Sequence, residues 1–321
     1  MKKLLINYSK KMSDKHIPVL LKEVIESLNI KSDGTYLDLT LGRGGHSEEI
    51  LKRLSSKGLL IGVDQDETAI KESEERLSKL KDKNYRIVRD NFVNVKSILE
   101  NLGISKVDGV LMDLGVSSPQ FDVIERGFTY RYDAPLDMRM DQRNKLTAKE
   151  IVNKYSLNEL TKIFQDYGDE KFAYSIAKNI VKYRENKEIE TTFELVDIIK
   201  KSKPNKELKK VGHPAKQVFQ ALRIAVNDEL NVLKETLETV TELLAPQGRL
   251  AVITFHSGED KIVKQIFKKL TVVEGNRYDL PLKQAEPDFI QVNHKVIVAS
   301  QEELEMNHRS QSAKLRVIER K

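Results

Sequence analysis

The chain has no cysteine among its 321 residues. Disulfide frameworks, thiolate metal sites and cysteine nucleophiles are therefore excluded, and the absence suits a reducing compartment. Long apolar runs are missing as well. After the charged start Met1-Lys2-Lys3, only Leu4-Leu5-Ile6 is apolar before Asn7, Ser9, Lys10 and Lys11 interrupt it. That is far short of the apolar region of a secretory signal, and nothing elsewhere approaches the ~20 apolar residues of a membrane-spanning helix. These gaps point to a soluble, cytoplasmic protein with no membrane partner. Negative charge is in slight deficit, 49 Asp and Glu against 55 Lys and Arg, a formal net charge of +6. So mild an excess favours an anionic partner without demanding one. What the chain does have is 39% hydrophobic and 32% charged residues. That supports a sizeable core, and the length suits two domains or one domain with a large insertion.

The first third alternates strands and helices. An Asp33-Gly34 turn leads into Tyr36-Leu37-Asp38-Leu39, which predicts a strand. Helices over 45–54, 67–80 and 95–102 then alternate with strands over 59–64, 86–88 and 107–114. Repeated units of this length imply a parallel sheet with right-handed crossovers. The rhythm breaks at Ser117-Ser118-Pro119. From Thr147 to about Lys201 the pattern is helical only, with Thr147, Ser156 and Thr191 or Thr192 as helix N-caps. One long apolar stripe then runs from about Ala215 to Leu244. It is followed by a strand over 249–255, a helix over 259–270, and last strands at Val296-Ile297-Val298 and Leu315-Arg316-Val317-Ile318. The expected architecture is an α/β Rossmann-like sheet domain, residues 1–118 and 213–321, with an all-helical domain, 119–212, inserted for substrate recognition. Lys200, Lys201, Lys203, Lys206, Lys209 and Lys210 crowd the end of that insert. Such a run is either a nucleic-acid-facing patch or a solvated linker.

The main chemical signal is Asp38-Leu39-Thr40-Leu41-Gly42-Arg43-Gly44-Gly45-His46, set between a strand and a helix. Glycines there let backbone approach a ligand at the carboxyl end of the sheet. Ser47 stands where the dinucleotide fingerprint requires its last glycine, and Asp38 precedes the glycines. That arrangement is common in loops that bind S-adenosylmethionine, a sulphonium with an amino-acid tail and no pyrophosphate. Asp64 closes the second strand, where a carboxylate accepts hydrogen bonds from ribose hydroxyls. NAD enzymes use the same device, so Asp64 alone does not separate the two cofactors. Phe92 follows the third strand and serves either as an adenine platform or as core. Asp113 ends the fourth strand, where a carboxylate is costly unless paired or functional. It is a candidate to bind the cofactor or to accept a proton from a substrate amine. His256, in Phe255-His256-Ser257, is a candidate general base, an RNA contact or a helix cap. Met138 and Met140 flank Arg139 and line a base pocket or plug a domain junction.

Eight blocks in order carry a family resemblance. They are His16-Ile17-Pro18-Val19-Leu20-Leu21, Gly42-Arg43-Gly44-Gly45-His46-Ser47, Asp113-Leu114-Gly115-Val116-Ser117-Ser118-Pro119-Gln120, Arg126-Gly127-Phe128, Pro135-Leu136-Asp137-Met138-Arg139-Met140, Phe219-Gln220-Ala221-Leu222-Arg223-Ile224, Phe255-His256-Ser257 and Ser312-Ala313-Lys314-Leu315-Arg316. Together they resemble the bacterial 16S ribosomal RNA cytosine-N(4) methyltransferase family. The resemblance implies a class I fold dependent on S-adenosylmethionine, acting on the 4-amino group of one cytidine in the decoding region of 16S rRNA. It implies 16S rRNA or the small ribosomal subunit as partner, allows a homodimer, and calls for no metal. By position in the motifs, Gly44, Gly45, His46, Asp64, Phe92, Asp113 and Gln120 are the implied cofactor contacts, which leaves the proton acceptor open between Asp113 and His256. Gly258 and Lys261 depart from the family's usual Leu and Arg.

Overall fold

Strands that are buried on both faces need unbroken apolar runs, and the computed structural model gives such runs to the centre of one seven-stranded sheet. It describes residues 17–116, 120, 123–272 and 286–321. The start of the chain up to His16, and Ser117-Ser118-Pro119, lie outside those residues. In chain order the sheet unit contains α1 (Leu21–Leu28), β1 (Thr35–Asp38), α2 (Gly45–Arg53), β2 (Leu59–Asp64), α3 (Glu67–Leu77), β3 (Tyr85–Arg89), α4 (Val95–Asn101) and β4 (Val107–Asp113). The sheet order is β3-β2-β1-β4, then β5 (Leu244–Thr254), β7 (Lys314–Arg320) and β6 (Phe289–Gln291). The first five strands are parallel. β7 runs antiparallel to β5, and β6 antiparallel to β7. Leu20, Val24, Leu51, Leu60, Leu111 and Ile253 belong to one continuous core in this unit. β1, β2 and β4 end on Asp38, Asp64 and Asp113 respectively, so three aspartates share the carboxyl edge where open α/β sheets bind ligands.

The second compact unit comprises 116–235 with 65–68. Its helices are α5 (Ala148–Lys154), α6 (Leu157–Asp166), α7 (Ala173–Arg184), α8 (Thr192–Lys201), the short α9 (Asn205–Leu208) and α10 (Lys216–Asn227). Thr147, Ser156 and Thr191 each close a capping box with a glutamate three residues on, a device worth roughly 1 kcal/mol per cap. Phe164, Ile176, Ile180, Leu195, Ile199 and Leu222 lie in this unit's core. Met138 and Met140 are buried in the same core. Here they pack inside this unit, a place the sequence did not distinguish from a base pocket or a domain junction.

Three expectations need correction. The unit boundary falls between Glu235 and Thr236, not at 212/213. α10 buries Val218, Phe219 and Leu222 in the helical core, so it belongs there. The stripe over 215–244 is not one helix. It breaks at Asp228, in the left-handed region at φ 50°, and resumes as α11 (Glu229–Leu243). The apolar triplet 296–298 forms only a single bridge, Ile297 with Leu315, and the edge strand is β6 instead. The last helices, α12 (Ser257–Thr271) and α13 (Gln301–Met306), pair with the sheet unit in chain order. No helix among the described residues is long and apolar enough to cross a membrane.

Candidate active site

The loop between β1 and α2 is held by its own backbone and by Asp64. Leu41 N–H donates to Val63 O at 3.1 Å, and Gly44 N–H donates to Leu41 O at 2.8 Å. Gly42 N–H donates to Asp64 Oδ2 at 2.8 Å. Gly44 sits at φ 71°, and a Cβ there would lie 3.1 Å from the Cβ of Ser73. Glycine answers both constraints. Gly45 has a packing reason as well, since a Cβ would meet the Pro18 ring at 2.4 Å. Asp64 thus shapes the loop in addition to the ribose role expected of it. Asp64→Ala is expected to weaken cofactor binding at least fivefold, about 1 kcal/mol, the scale of lost hydrogen bonds to a charged group. Calorimetric titration checks this, and an unchanged dissociation constant contradicts it.

His46 is buried in the first turn of α2, and its Nε2 lies 2.9 Å from the Val19 carbonyl. A carbonyl only accepts, so Nε2 carries the proton, and in the neutral ring Nδ1 carries the lone pair. Nδ1 lies 3.7 Å from Asp113 Oδ2. The Asp113 backbone N–H donates to Thr40 Oγ1 at 2.6 Å. Its side chain keeps 24% of its surface overall, yet Oδ1 is enclosed and has no hydrogen-bond partner among the described residues.

Two further carboxyls converge on it. Asp38 is buried and accepts from Ser47 Oγ at 2.7 Å and Thr40 N–H at 3.2 Å. Burial pushes its pKa up to about 6 in spite of those bonds. Glu259, buried in the first turn of α12, accepts from Phe255 N–H at 2.7 Å and His256 N–H at 3.3 Å. Burial first, then the charges of Asp38 and Glu259, hold Asp113 well above the usual carboxylate range.

The remaining expected residues are more dispersed. His256 is the N-cap of α12. Its Nδ1 accepts from Glu259 N–H at 3.4 Å, and its Nε2 lies 3.1 Å from Glu259 Oε1. Of the roles open to it, capping is the one this geometry occupies. Phe92 is half-buried in a single turn, Phe92–Asn94, capped by Asn91. Gln120 belongs to the helical unit, where its Nε2 donates to Asp66 Oδ2 at 3.1 Å. The same oxygen accepts from Arg126 Nη1 at 2.8 Å. Sequence reasoning did not single out Glu259 or Thr40. The signal was available for Asp38 with Asp113, since β1 and β4 are neighbours and both end in aspartate.

This donor set discriminates between ligands. Asp38, Asp113 and Glu259 gather at one place, and Arg43 beside the loop is engaged by Glu72 at 2.7 Å. A pyrophosphate would meet carboxyls without a compensating cation. A ligand with a sulphonium and an ammonium group would meet its counter-charge, and the unpartnered Asp113 Oδ1 an incoming donor. The residues therefore fit S-adenosylmethionine and do not fit a dinucleotide.

Comparison with known proteins agrees. Residues 13–321 match the model of the MraW methylase family. A protein of Mesoplasma florum named ribosomal RNA small subunit methyltransferase H is 57% identical, over 96% of this chain and 100% of its own length. One of the same name from Spiroplasma kunkelii is 55% identical, over 96% and 99%. A solved rRNA methylase from Streptococcus thermophilus is 12% identical with a TM-score of 0.41, covering 94% of this chain and 93% of its own. On the family match and the two relatives, which span nearly the whole length, the chain belongs to the MraW methylase family.

Proposed function

We propose that this S-adenosylmethionine-dependent methyltransferase of small-subunit rRNA acts on the 4-amino group of one cytidine in the decoding region of 16S rRNA. The rRNA substrate rests on the relatives at 55–57% identity. The cytidine amine and its location rest on the motif resemblance. The observation that carries the amine reading is the place of Asp113 at the carboxyl edge of the sheet, its side chain still partly exposed beside two further carboxyls.

The cofactor supplies an electrophilic methyl group when bound. Gly44, Gly45, His46, Asp64, Phe92, Asp113 and Gln120 are proposed to hold it. A cytosine amine is a weak nucleophile, because its lone pair is conjugated into the ring. The nitrogen must shed a proton as its new bond forms, so an acceptor in reach assists the reaction. Asp113 is proposed as that acceptor. Burial first, and then the neighbouring carboxyls Asp38 and Glu259, raise its affinity for a proton. Buried His46 limits water on one side and presents Nδ1 toward the same carboxyl. His256 is committed to the α12 cap and is the weaker candidate.

The test is transfer of radiolabelled methyl to unmodified small subunits, followed by digestion to nucleosides and chromatography. Label in N(4)-methylcytidine is expected. Label on a ring carbon, a ribose or another base overturns the amine assignment, and absence of label from RNA overturns the function.

A further inference from the structure

We propose that the outward face of α7, together with the turn that follows α8, docks a single-stranded or irregular stretch of RNA. The inference rests on the rRNA reading above and adds to it a place on the helical unit.

α7 turns Ile176, Ala177 and Ile180 into the core. On its outer side Tyr174, Lys178 and Lys182 are spaced four residues apart and form one exposed row, rising ~6 Å per step. Lys171 stands three residues before Tyr174, also exposed. The row is continued by the end of α8. Ser175 Oγ donates to Ser202 O at 3.1 Å and Asn179 Nδ2 to Ser202 Oγ at 2.8 Å. These bonds bring the exposed Lys200 and Lys201 beside α7. More positive charge converges beyond them. His213 stacks on Tyr130 at 4.3 Å, and after burial it is the charges of Lys200, Arg131 and Lys203 that lower its affinity for a proton.

Two contrasts argue that this face is more than a solvated surface. Several exposed lysines of the same unit are matched: Lys149 with Glu190, Lys154 with Glu150 and Lys187 with Glu194. Lys171, Lys178, Lys182, Lys200 and Lys201 have no such ion pair among the described residues. Tyr174, 57% exposed, makes no hydrogen bond or ring contact among them either. Helix dipoles do not account for the pattern. They favour lysine at helix C-termini, as for Lys182, Lys200 and Lys201, yet Lys171, whose charge also acts on Glu207, precedes the N-terminus of α7, where a cation is disfavoured. An exposed ring interleaved with unmatched cations is the chemistry of a base-stacking platform on a phosphate track. Within the lysine-dense run, Lys203 is set apart. It is buried against Glu170 and serves the fold.

The experiment measures binding of full-length protein to protein-free 16S rRNA across a salt series, for wild type, Lys178→Gln/Lys182→Gln, Tyr174→Ala and Tyr174→Phe. The lysine variant is expected to bind about tenfold more weakly at low salt. Its log–log salt slope should be shallower by roughly 1.5, since each phosphate contact contributes about 0.7–0.9. Tyr174→Ala should weaken binding about tenfold with an unchanged slope, on the scale of one stacked base, and Tyr174→Phe should restore it. Cofactor affinity and the unfolding midpoint should not move in any of them. Unchanged RNA affinity and slope in both variants overturn the proposal. Intact RNA binding with weakened association to the assembled subunit also overturns it, in favour of an acidic protein partner. Because binding is read without turnover, failure of the surface is distinct from failure of the enzyme to methylate RNA.

Discussion

Replacing Asp113 with asparagine is expected to lower methyl transfer about 10²-fold or more, the scale of losing a positioned proton acceptor. The same change is expected to make the cofactor-free protein harder to unfold. Asp113 and Asp38 both bind a proton more tightly in the folded chain than at their ordinary value of 3.8. The native state therefore holds more protons than the unfolded one over that range, and stability falls as pH rises. For Asp38 the loss runs from about pH 4 to about pH 6 and totals on the order of 3 kcal/mol. For Asp113 the loss has the same sign, because its folded value lies well above the ordinary one. Asparagine removes the ionisable group, so Asp113→Asn should gain stability at pH 8 and much less at pH 5. Urea unfolding at the two pH values, beside a methyl-transfer assay, checks both signs. A full wild-type rate would remove Asp113 from the chemistry. A less stable variant at pH 8 would contradict the account of its burial. Opposite effects on activity and stability are the signature of a functional carboxyl kept in an unfavourable place.

Lys203→Met is expected to cost about 3–5 kcal/mol of stability, the range for stranding one member of a buried ion pair. Lys203 Nζ lies 2.6 Å from Glu170 Oε2, and the side chains are only 6% and 1% exposed. Lys203 also donates to the Pro214 carbonyl at 2.7 Å, so two contacts are lost together. Glu170 would keep its bond from Phe172 N–H at 3.0 Å but would lose its one ion-pair partner among the described residues. A second substitution, Glu170→Gln, should recover part of the loss, because no uncompensated charge is then left buried. Equilibrium unfolding of the single and double variants measures the coupling. A single variant within 1 kcal/mol of wild type would show that the pair is dispensable. By contrast, Lys200→Gln and Lys206→Gln, at exposed neighbours in the same run, should leave stability within about 0.5 kcal/mol.

Much of the sheet unit was readable from periodicity. β1 to β4 and the helices between them carry the apolar runs and turn residues that define such units, and local chemistry decided them. The capping boxes at Thr147, Ser156 and Thr191 were likewise legible, since side chain and backbone partner lie three residues apart. What escaped was set by distant contacts. The apolar stripe continues through Asp228, so nothing local marks the end of α10. The neighbouring Asn227 accepts from Met140 N–H at 2.8 Å and donates to Met138 O at 2.8 Å. Such bonds, far apart in sequence, tie the helix end to a loop. Val296-Ile297-Val298 is rich in β-formers, yet its ladder depends on the reach of β7, and Val298 is left exposed. At the site, the three strand-end aspartates sat in predicted strands. Glu259 was hidden because its role depends on its charge reaching Asp113 at the end of β4, far away in sequence, which no spacing reveals.

The discontinuity of the sheet unit also bears on how a nascent chain matures. β4 ends at Asp113, and its neighbour β5 begins at Leu244. Between them the ribosome must make the whole helical unit, which at ordinary elongation speeds takes on the order of 10 s. During that interval the outer edge of β4 has no strand beside it, and a bare edge invites pairing with other chains. β5 gains its other neighbour only when β7 emerges, later still. The helical unit, nearly contiguous in sequence, can mature while the half-built sheet waits. Aggregation during synthesis should therefore begin at β4, and an agent that shields strand edges should raise the yield of native enzyme more than one that speeds helix formation.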